Sequence, residues 1–181
     1  MEVQETKIKG VVVCSPKIYY DDRGQFSEGF HTEKYEEIIG KDVVFVQDNI
    51  SISKKNVIRG LHFQAPPKAQ GKLVQVLKGR ILDVVVDLRK KSKTYGEHIS
   101  IELSDKNNKQ IWIPPGFAHG FISKEEGSIL NYKCTSHYDH TTEQTIRWDD
   151  SDINIDWQTK APILSEKDME GVLFKNFKSP F

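Results

Sequence analysis

The stretch KLVQVLKGRILDVVVDL, residues 72–88, indicates the fold class of this chain. It consists of two apolar runs, 72–77 and 80–88, with Gly79 between them. Runs of this length that are rich in Val, Ile and Leu and end at a glycine are typical of β-strands. The stretch therefore predicts neighbouring strands with a turn at Gly79.

Similar runs occur on both sides of this stretch, separated by clusters of Gly, Pro, Asn and Asp. The further predicted strands are 43–52, 98–103, 110–113 and 127–134. Many short strands with turn residues between them favour an all-β sandwich or barrel.

Helical signals are few. Residues 32–39 (TEKYEEII) predict one short helix with Thr32 as its N-cap, and residues 165–168 predict another. Ser165, with an acidic residue three positions later, resembles a capping box. The chain has no fixed-period repeat and no linker, so we expect residues 1–181 to form a single domain.

Composition excludes several classes of protein. The 26 basic residues balance the 26 acidic ones, which argues against a nucleic-acid partner. No apolar run reaches the roughly 20 residues that span a membrane, and the charged N-terminus does not resemble a secretory signal. Cys14 and Cys134 form no close-spaced pair, so a reducing compartment is expected. These features predict a cytoplasmic protein without a membrane partner.

Three polar side chains are predicted to face the apolar interior. Strand alternation places Lys72 with the valines of run 72–77, Asp83 with Ile81, and Tyr132 with its apolar neighbours in the strand. A buried polar group without a partner costs several kcal/mol. These residues are therefore candidates for function.

The segment Arg59–Gln64 (RGLHFQ) contains the first candidate base, His62. Histidine titrates near neutral pH and suits general base catalysis. The alternative is a core histidine that donates to a backbone carbonyl. Arg59 and Gln64 close by, and Gly60, which permits a close approach of backbone, favour the functional interpretation.

The second segment is PPGFAHGF, residues 114–121, in which Pro-x-Gly-x-x-His is the core of the second cupin motif. An ordinary turn with an incidental His119 is the alternative. Many cupins bind a metal through a His-x-His pair, but this chain has none, and His137 and His140 lie in a polar segment. A transition-metal site needs about three protein ligands. We therefore predict a site without a metal.

Other candidates also have structural alternatives. Asp168 either caps the helix or orients a histidine, and Asp83 is able to orient His119. Tyr132 is a candidate proton donor or an aromatic residue of the barrel. Lys72 is a candidate for stabilising an enolate or a solvated strand end. The remaining basic residues are scattered, so their spacing alone supports no phosphate site.

Eight blocks of this sequence, in this order, resemble the dTDP-4-dehydrorhamnose 3,5-epimerase family. The blocks are Asp22-Arg23-Gly24-x-Phe26-x-Glu28, Gln47-x-Asn49-x-Ser51, Arg59 to Gln64, Gln70-x-Lys72-Leu73-Val74, Asp83 to Arg89, Pro114 to Phe121, Tyr132-Lys133 and Leu164-Ser165-x-Lys167-Asp168.

The resemblance implies a cupin-type β-jelly roll (a double-stranded β-helix) with a few short helices. It implies a homodimeric isomerase that needs neither metal nor organic cofactor. Its reaction inverts C3 and C5 of dTDP-4-dehydro-6-deoxy-D-glucose, giving dTDP-4-dehydro-L-rhamnose for dTDP-L-rhamnose and polysaccharide biosynthesis.

The resemblance also implies the roles of individual residues. His62 is the base, with Asp168 as its orienting partner, Tyr132 is the acid, and Lys72 stabilises the oxyanion. His119, held by Asp83 behind it, completes the wall around the sugar. The further substrate-binding positions are Arg23, Phe26, Glu28, Gln47, Asn49, Arg59, Tyr138, Glu143 and Lys167.

Four basic residues of this set are expected to converge on one diphosphate-sugar pocket: Arg23, Arg59, Lys72 and Lys167. Phe26 is a candidate for stacking on the thymine, either from the same chain or from the partner subunit. The sequence departs from the family pattern after Tyr138, where an expected proline is missing.

Two alternatives remain open. Relatives that invert only C3 or only C5 of another nucleotide-linked 4-keto-deoxysugar share the catalytic pair. A non-catalytic cupin that binds a sugar nucleotide is the alternative from a different class.

Overall fold

A computed structural model describes all residues, 1–181, and nearly all of its regular structure is β. The strands are β1 (Glu2–Glu5), β2 (Val12–Ser15), β3 (Ile18–Asp21), β4 (Gly24–Ser27), β5 (Gln47–Ser53), β6 (Ile58–Gln64), β7 (Lys72–Lys78), β8 (Arg80–Asp87), β9 (His98–Ser104), β10 (Gln110–Ile113), β11 (Phe117–Ser123), β12 (Ser128–Cys134) and β13 (Glu143–Thr145). The helices are α1 (Thr32–Ile39), α2 (Glu166–Met169) and a 3₁₀ turn at Phe174–Asn176. None of these helices is long and apolar enough to cross a membrane.

The strands form two antiparallel sheets and one separate hairpin. The larger sheet has the order β1-β2-β10-β7-β12-β5, the smaller has the order β13-β6-β11-β8-β9, and β3 pairs only with β4. From β5 onward the chain passes repeatedly between the two large sheets, with β7 and β12 adjacent in one and β8 and β11 adjacent in the other. This is the predicted jelly roll, in which two sheets close around a shared interior.

β8 is buried on both of its faces, and it connects two regions of the core. Ile81 and Val85 belong to the apolar cluster between the two sheets. Val84 and Val86 belong to a second cluster, which the C-terminal segments cover. The predicted alternation of side chains in run 80–88 is therefore confirmed, and both of its faces contribute to hydrophobic burial.

Part of one face of the larger sheet, on β2, β10 and β7, is covered by α1. Tyr35 of α1 stacks against Phe30, with 5.0 Å between the ring centroids, and Phe30 meets Phe45 edge to face at 5.3 Å. Phe45 in turn packs on Trp112 of β10 at 5.9 Å. This aromatic row is why residues 43–46, predicted as the start of a strand, are not a strand: Phe45 anchors an irregular segment and β5 begins at Gln47.

Both predicted helices are present, but one cap was predicted wrongly. The first helical hydrogen bond of α1 runs from Tyr35 N–H to the carbonyl of His31, at 3.1 Å, so His31 and not Thr32 is the N-cap. The cap of α2 is confirmed, because the Ser165 hydroxyl accepts a bond from the Asp168 backbone N–H.

The remaining predicted strands are observed within two residues of their expected ends, and several strands were missed. These are β1 to β4, β6, β11 and β13. Glycines and histidines interrupt the apolar pattern of β6 and β11, which are the strands that carry the two cavity histidines.

Candidate active site

Two adjoining cavities of about 450 and 250 Å³ open into the jelly roll. Both are lined by Asn49, His62, Lys72 and Tyr132. The larger is also lined by Ile50, Ser51, Arg59, His119, Phe121, Ser165, Lys167 and Asp168, and the smaller by Gln47, Phe63, Gln64, Gln70, Tyr138 and Glu143. Most of the predicted site residues therefore meet in one place.

His62 of β6 is held by a carboxylate. Its Nε2 lies 2.5 Å from Oδ1 of Asp168, and Oδ2 of Asp168 accepts a bond of 2.8 Å from the Ser165 hydroxyl. Burial raises the pKa of Asp168, but the hydrogen bonds from His62 and Ser165 outweigh it and lower that pKa overall. Asp168 therefore stays ionised. Its carboxylate favours the His62 tautomer that carries the proton on Nε2, and Nδ1 of His62 is then the basic nitrogen. Asp168 thus completes the helix cap and contacts the histidine at once.

Two glycines let β6 and β11 approach each other beside His62. A Cβ atom on Gly60 would lie 2.5 Å from the Cα of Gly120, and Gly60 has a φ of +140°. The ladder between the strands shifts its register between His119 and Phe121. In the resulting register His119 is directly opposite His62, so both imidazoles lie on adjacent strands of the smaller sheet.

His119 has its own carboxylate, as predicted. Its Nε2 lies 2.8 Å from Oδ2 of Asp83 on β8, and both side chains are buried. The other oxygen of Asp83, Oδ1, is buried without a hydrogen-bond partner. The cavity wall therefore contains two histidine–aspartate pairs, of which only His62 is appreciably exposed.

Lys72 and Tyr132 lie on the facing sheet, on β7 and β12. The Lys72 ammonium is 5.9 Å from the centre of the Tyr132 ring. Burial lowers the pKa of Lys72 and raises the pKa of Tyr132. His62 and Tyr132 therefore belong to opposite walls of the cavity, and Tyr132 keeps its proton at neutral pH.

Polar groups line the mouth of the cavities. Glu143 of β13 accepts a bond of 2.8 Å from the Tyr138 hydroxyl and contacts the Lys167 ammonium of α2 at 2.5 Å. Gln47 accepts from the Tyr138 backbone N–H at 2.8 Å and donates to Asn49 at 2.9 Å. Tyr138 is placed by these contacts although the expected proline does not follow it.

Arg59 is the third cation of the cavity, beside Lys72 and Lys167. It lies on β6 and its Nε donates to the Ser53 hydroxyl at 3.2 Å. Its remaining guanidinium nitrogens have no protein hydrogen-bond partner and are available to an anion.

Three predicted residues lie outside the cavity of their own chain. Arg23 and Phe26 belong to the β3–β4 hairpin, where the Arg23 side chain is 89% exposed and Phe26 is 66% exposed. Arg23 pairs with Asp21 in its own hairpin, and Glu28 pairs with Lys34. The expected convergence of Arg23 with the other three cations is therefore not found within one chain.

Two serines at the site were missing from the predicted site residues. Ser165 bonds the carboxylate of Asp168, and Ser51 lines the larger cavity with its hydroxyl buried and unpaired. Ser51 was detectable, because strand alternation from Gln47 and Asn49 places it on the same face. Ser165 had been assigned to the helix cap alone.

Fold and cavity together define a class, that of cupin-type proteins with a site suited to acid–base proton transfer. An oriented imidazole faces a protonated phenol across a cavity that also contains three cations. No three His, Cys, Asp or Glu side chains come together as a group able to bind a metal ion.

Comparison with known proteins gives the family. A model of the dTDP-4-dehydrorhamnose 3,5-epimerase family matches residues 5–176. The chain is 45% identical over 174 residues to such an epimerase of Shigella flexneri, covering 96% of each chain, and 47% identical over 169 residues to that of Salmonella typhimurium, covering 93% and 92%. It therefore belongs to the dTDP-4-dehydrorhamnose 3,5-epimerase family.

A solved structure agrees. The dTDP-6-deoxy-D-glucose-3,5-epimerase of Legionella pneumophila, in complex with dTDP-4-keto-L-rhamnose, superposes with a TM-score of 0.94 at 42% identity, covering 98% of this chain and 94% of that one. The predicted cupin-type jelly roll is confirmed at the level of the whole chain.

Proposed function

We propose that this protein epimerises C3 and C5 of dTDP-4-dehydro-6-deoxy-D-glucose and forms dTDP-4-dehydro-L-rhamnose, a step of dTDP-L-rhamnose and polysaccharide biosynthesis. Family membership supports the substrate. The observation that carries the mechanism is the position of His62 and Tyr132 on opposite walls of one cavity.

The reaction needs an acid and a base on opposite faces of the sugar. C3 and C5 both flank the C4 ketone, so the carbonyl acidifies their protons. Nδ1 of His62 removes one proton, an enolate forms, and the Tyr132 hydroxyl returns a proton to the other face. The Asp168 carboxylate stabilises the imidazolium that forms on His62.

Lys72 stabilises the oxyanion that develops at the C4 oxygen. Burial lowers the pKa of its ammonium group, and a nearby negative charge favours the protonated form. The developing enolate therefore favours the protonated, positively charged form of Lys72. Electrostatic stabilisation of this kind accelerates such reactions. His119, held by Asp83, forms part of the wall on the His62 side of the sugar.

The nucleotide would extend along the mouth of the cavity. Arg59 and Lys167 are the cations suited to the diphosphate, because a guanidinium and an ammonium both bind phosphate oxygens. The proposed contacts to the nucleotide end are Gln47, Asn49 and Tyr138, and Glu143 lies beside them as the acceptor of the Tyr138 hydroxyl. All four line the smaller cavity.

A second copy of the chain would complete the site. β5 is an edge strand of the larger sheet and exposes the apolar side chains of Ile50 and Ile52, which are 66% and 65% exposed. Such a patch is typical of an interface. We propose a homodimer in which the β3–β4 hairpin of the partner brings Arg23, Phe26 and Glu28 to the nucleotide.

We also propose a cytoplasmic location, which the two free, buried thiols Cys14 and Cys134 support.

Solvent exchange tests the proposed reaction. The protein is incubated with the 4-keto substrate in deuterated water, and deuterium is expected at both C3 and C5. Label at only one carbon would identify a single-centre epimerase. Binding of the sugar nucleotide without any exchange would identify a non-catalytic binding protein. Because we propose catalysis without a metal, the same exchange rate is expected after treatment with a strong chelator.

A further inference from the structure

One oxygen of Glu143 serves two groups at the mouth of the cavity. Oε2 lies 2.5 Å from the Lys167 ammonium and accepts the 2.8 Å bond from the Tyr138 hydroxyl. The Glu143 side chain is only 16% exposed, whereas Lys167 is 49% exposed. The carboxylate is therefore the shielded member of the pair, and the lysine reaches it from the solvent side.

This contact joins two elements of the site. Glu143 lies on β13 beside Gln64 of β6, and Lys167 lies on α2, next to the Asp168 that contacts His62. The four-residue helix is attached to the smaller sheet by single bridges on either side, at Ile163 and at Val172. The Glu143–Lys167 pair adds a side-chain link between α2 and that sheet.

Glu143 is charged in this arrangement. Burial raises its pKa, but the hydrogen bonds from Lys167 and then Tyr138 lower it overall. The mouth of the cavity thus contains an ionised carboxylate in contact with a lysine that the proposed function assigns to the diphosphate. A carboxylate and a diphosphate repel each other when both are close to one ammonium group.

We propose that Glu143 is an internal anion that occupies Lys167 in the free protein and gives it up when the diphosphate binds. This inference rests on the proposed function, and it makes Glu143 a positioning residue for Lys167 and Tyr138. Before the nucleotide arrives, the carboxylate keeps both side chains at the mouth and helps to fasten α2. After it arrives, Lys167 pairs with phosphate instead, so α2 retains an anionic partner in both states.

The exchange of partners predicts an unusual effect of mutation. Glu143→Gln removes the competing charge but keeps the size of the side chain. Because the ligand no longer has to displace a carboxylate from Lys167, we expect pyrophosphate and dTDP to bind about two- to fivefold more tightly at low ionic strength. The gain should shrink in high salt, since screening weakens the competing ion pair. A merely structural role of Glu143 would not increase affinity.

Isothermal titration of the full-length protein measures these affinities. Glu166→Gln is the matched control, because it removes the same charge from exposed Glu166 of α2, which has no ion pair with Lys167. We expect this control to change pyrophosphate affinity less than Glu143→Gln does. If Glu143→Gln does not fold, Glu143→Asp is tested in its place. Its shorter side chain withdraws the carboxylate from Lys167, so tighter binding of pyrophosphate and dTDP is again expected.

Weaker or unchanged binding of pyrophosphate and dTDP by the variant would overturn the inference; a loss confined to dTDP would make Glu143 a direct ligand of the nucleoside. A wild-type protein that binds no dTDP at all contradicts the proposed function instead, so the two failures are distinguishable.

Discussion

At the scale of residues, two contacts between a histidine and an aspartate define the site. Asp168 and Asp83 each contact the Nε2 atom of a histidine, at 2.5 and 2.8 Å. The two pairs differ in exposure, because the His62 side chain is 25% exposed and that of His119 only 7%. On the proposed mechanism, this difference in exposure favours His62 for proton transfer and His119 for the wall.

Replacing the base should stop the reaction at its first step. We expect His62→Asn to reduce solvent exchange into the 4-keto substrate by about 10²- to 10⁴-fold, because asparagine cannot accept the proton. Deuterium incorporation followed by NMR measures the rate. His98→Asn, a histidine of β9 outside the cavities, is the control and should leave exchange intact. Near-normal exchange in His62→Asn would remove this residue from the mechanism.

Replacing the acid should separate exchange from inversion. We expect Tyr132→Phe to impair protonation on the far face, while some deuterium still enters on the face that His62 serves. Product analysis by NMR distinguishes label with retained configuration from label with inversion. Tyr95→Phe, in a tyrosine that lines neither cavity, is the control. Unchanged formation of the inverted sugar in Tyr132→Phe would show that another group is the acid.

At the scale of elements, the turn after β8 is organised around one carboxylate. Asp87 is fully buried and accepts bonds from the side chains of Arg89 at 2.7 and 2.9 Å, Ser92 at 2.6 Å and Thr94 at 2.7 Å. Burial raises the pKa of Asp87, but these bonds outweigh it and lower the pKa to about 2. The turn therefore depends on a negative charge in the interior.

This charge gives the stability a defined dependence on pH. Because the folded-state pKa is below the unfolded value, the contribution is present above about pH 4 and is lost as the pH falls towards 2. We expect Asp87→Asn to lower the free energy of unfolding by about 2 kcal/mol at pH 7, with a smaller difference at pH 2–3. Urea denaturation across this range measures it.

Asp42→Asn, which changes an exposed acid, is the control for the Asp87 variant and should leave the curve close to that of the wild type. A difference between wild type and Asp87→Asn that is constant from pH 7 to pH 2 would contradict the assignment.

The elements also show what the sequence is able to predict. Runs such as 80–88 identify strands because continuous Val and Ile match a strand that is buried on both faces. β6 and β11 were missed because Gly60 and Gly120 serve a close backbone approach and His62 and His119 serve the cavity. In these two strands, glycines and histidines occupy positions where apolar residues would otherwise indicate a strand.

The site itself was predicted chiefly through the resemblance to the family. The pairing of His119 with Asp83 followed from residue types and was found. Strand alternation was enough to place Lys72, Asp83 and Tyr132 on inward faces. It was not enough to show that Lys167 and Glu143 would contact each other, because that depends on how a four-residue helix meets a sheet edge.

At the scale of the whole molecule, the interleaving of strands makes the two sheets depend on each other. Neither sheet consists of one contiguous segment, since four strands lie between β7 and β12 in the chain and only β10 of them belongs to their sheet. We therefore propose that residues 1–181 fold as a single domain. A single denaturation transition, with the same midpoint by circular dichroism and by tryptophan fluorescence, is the expected result.

The proposed dimer predicts a linked loss of assembly and dTDP binding. We expect Ile52→Asp to shift the protein towards a monomer and to weaken dTDP binding, because a charge on the outer face of β5 opposes burial by the partner. Analytical ultracentrifugation and titration calorimetry measure the two effects. Val3→Asp, at an exposed position of the opposite edge strand β1, is the control. A monomer of undiminished affinity would show that the partner adds nothing to the site.

Because His62 and Tyr132 lie on facing sheets, the hydrophobic interior acts as a spacer between the proposed base and the proposed acid. The separation of packed sheets, about 10 Å, is determined by the side chains between them. Residues such as Val85 and Leu130, which line neither cavity, thereby set the distance between His62 and Tyr132. On the proposed mechanism, a change in core volume is therefore expected to alter turnover without altering any group that performs the chemistry.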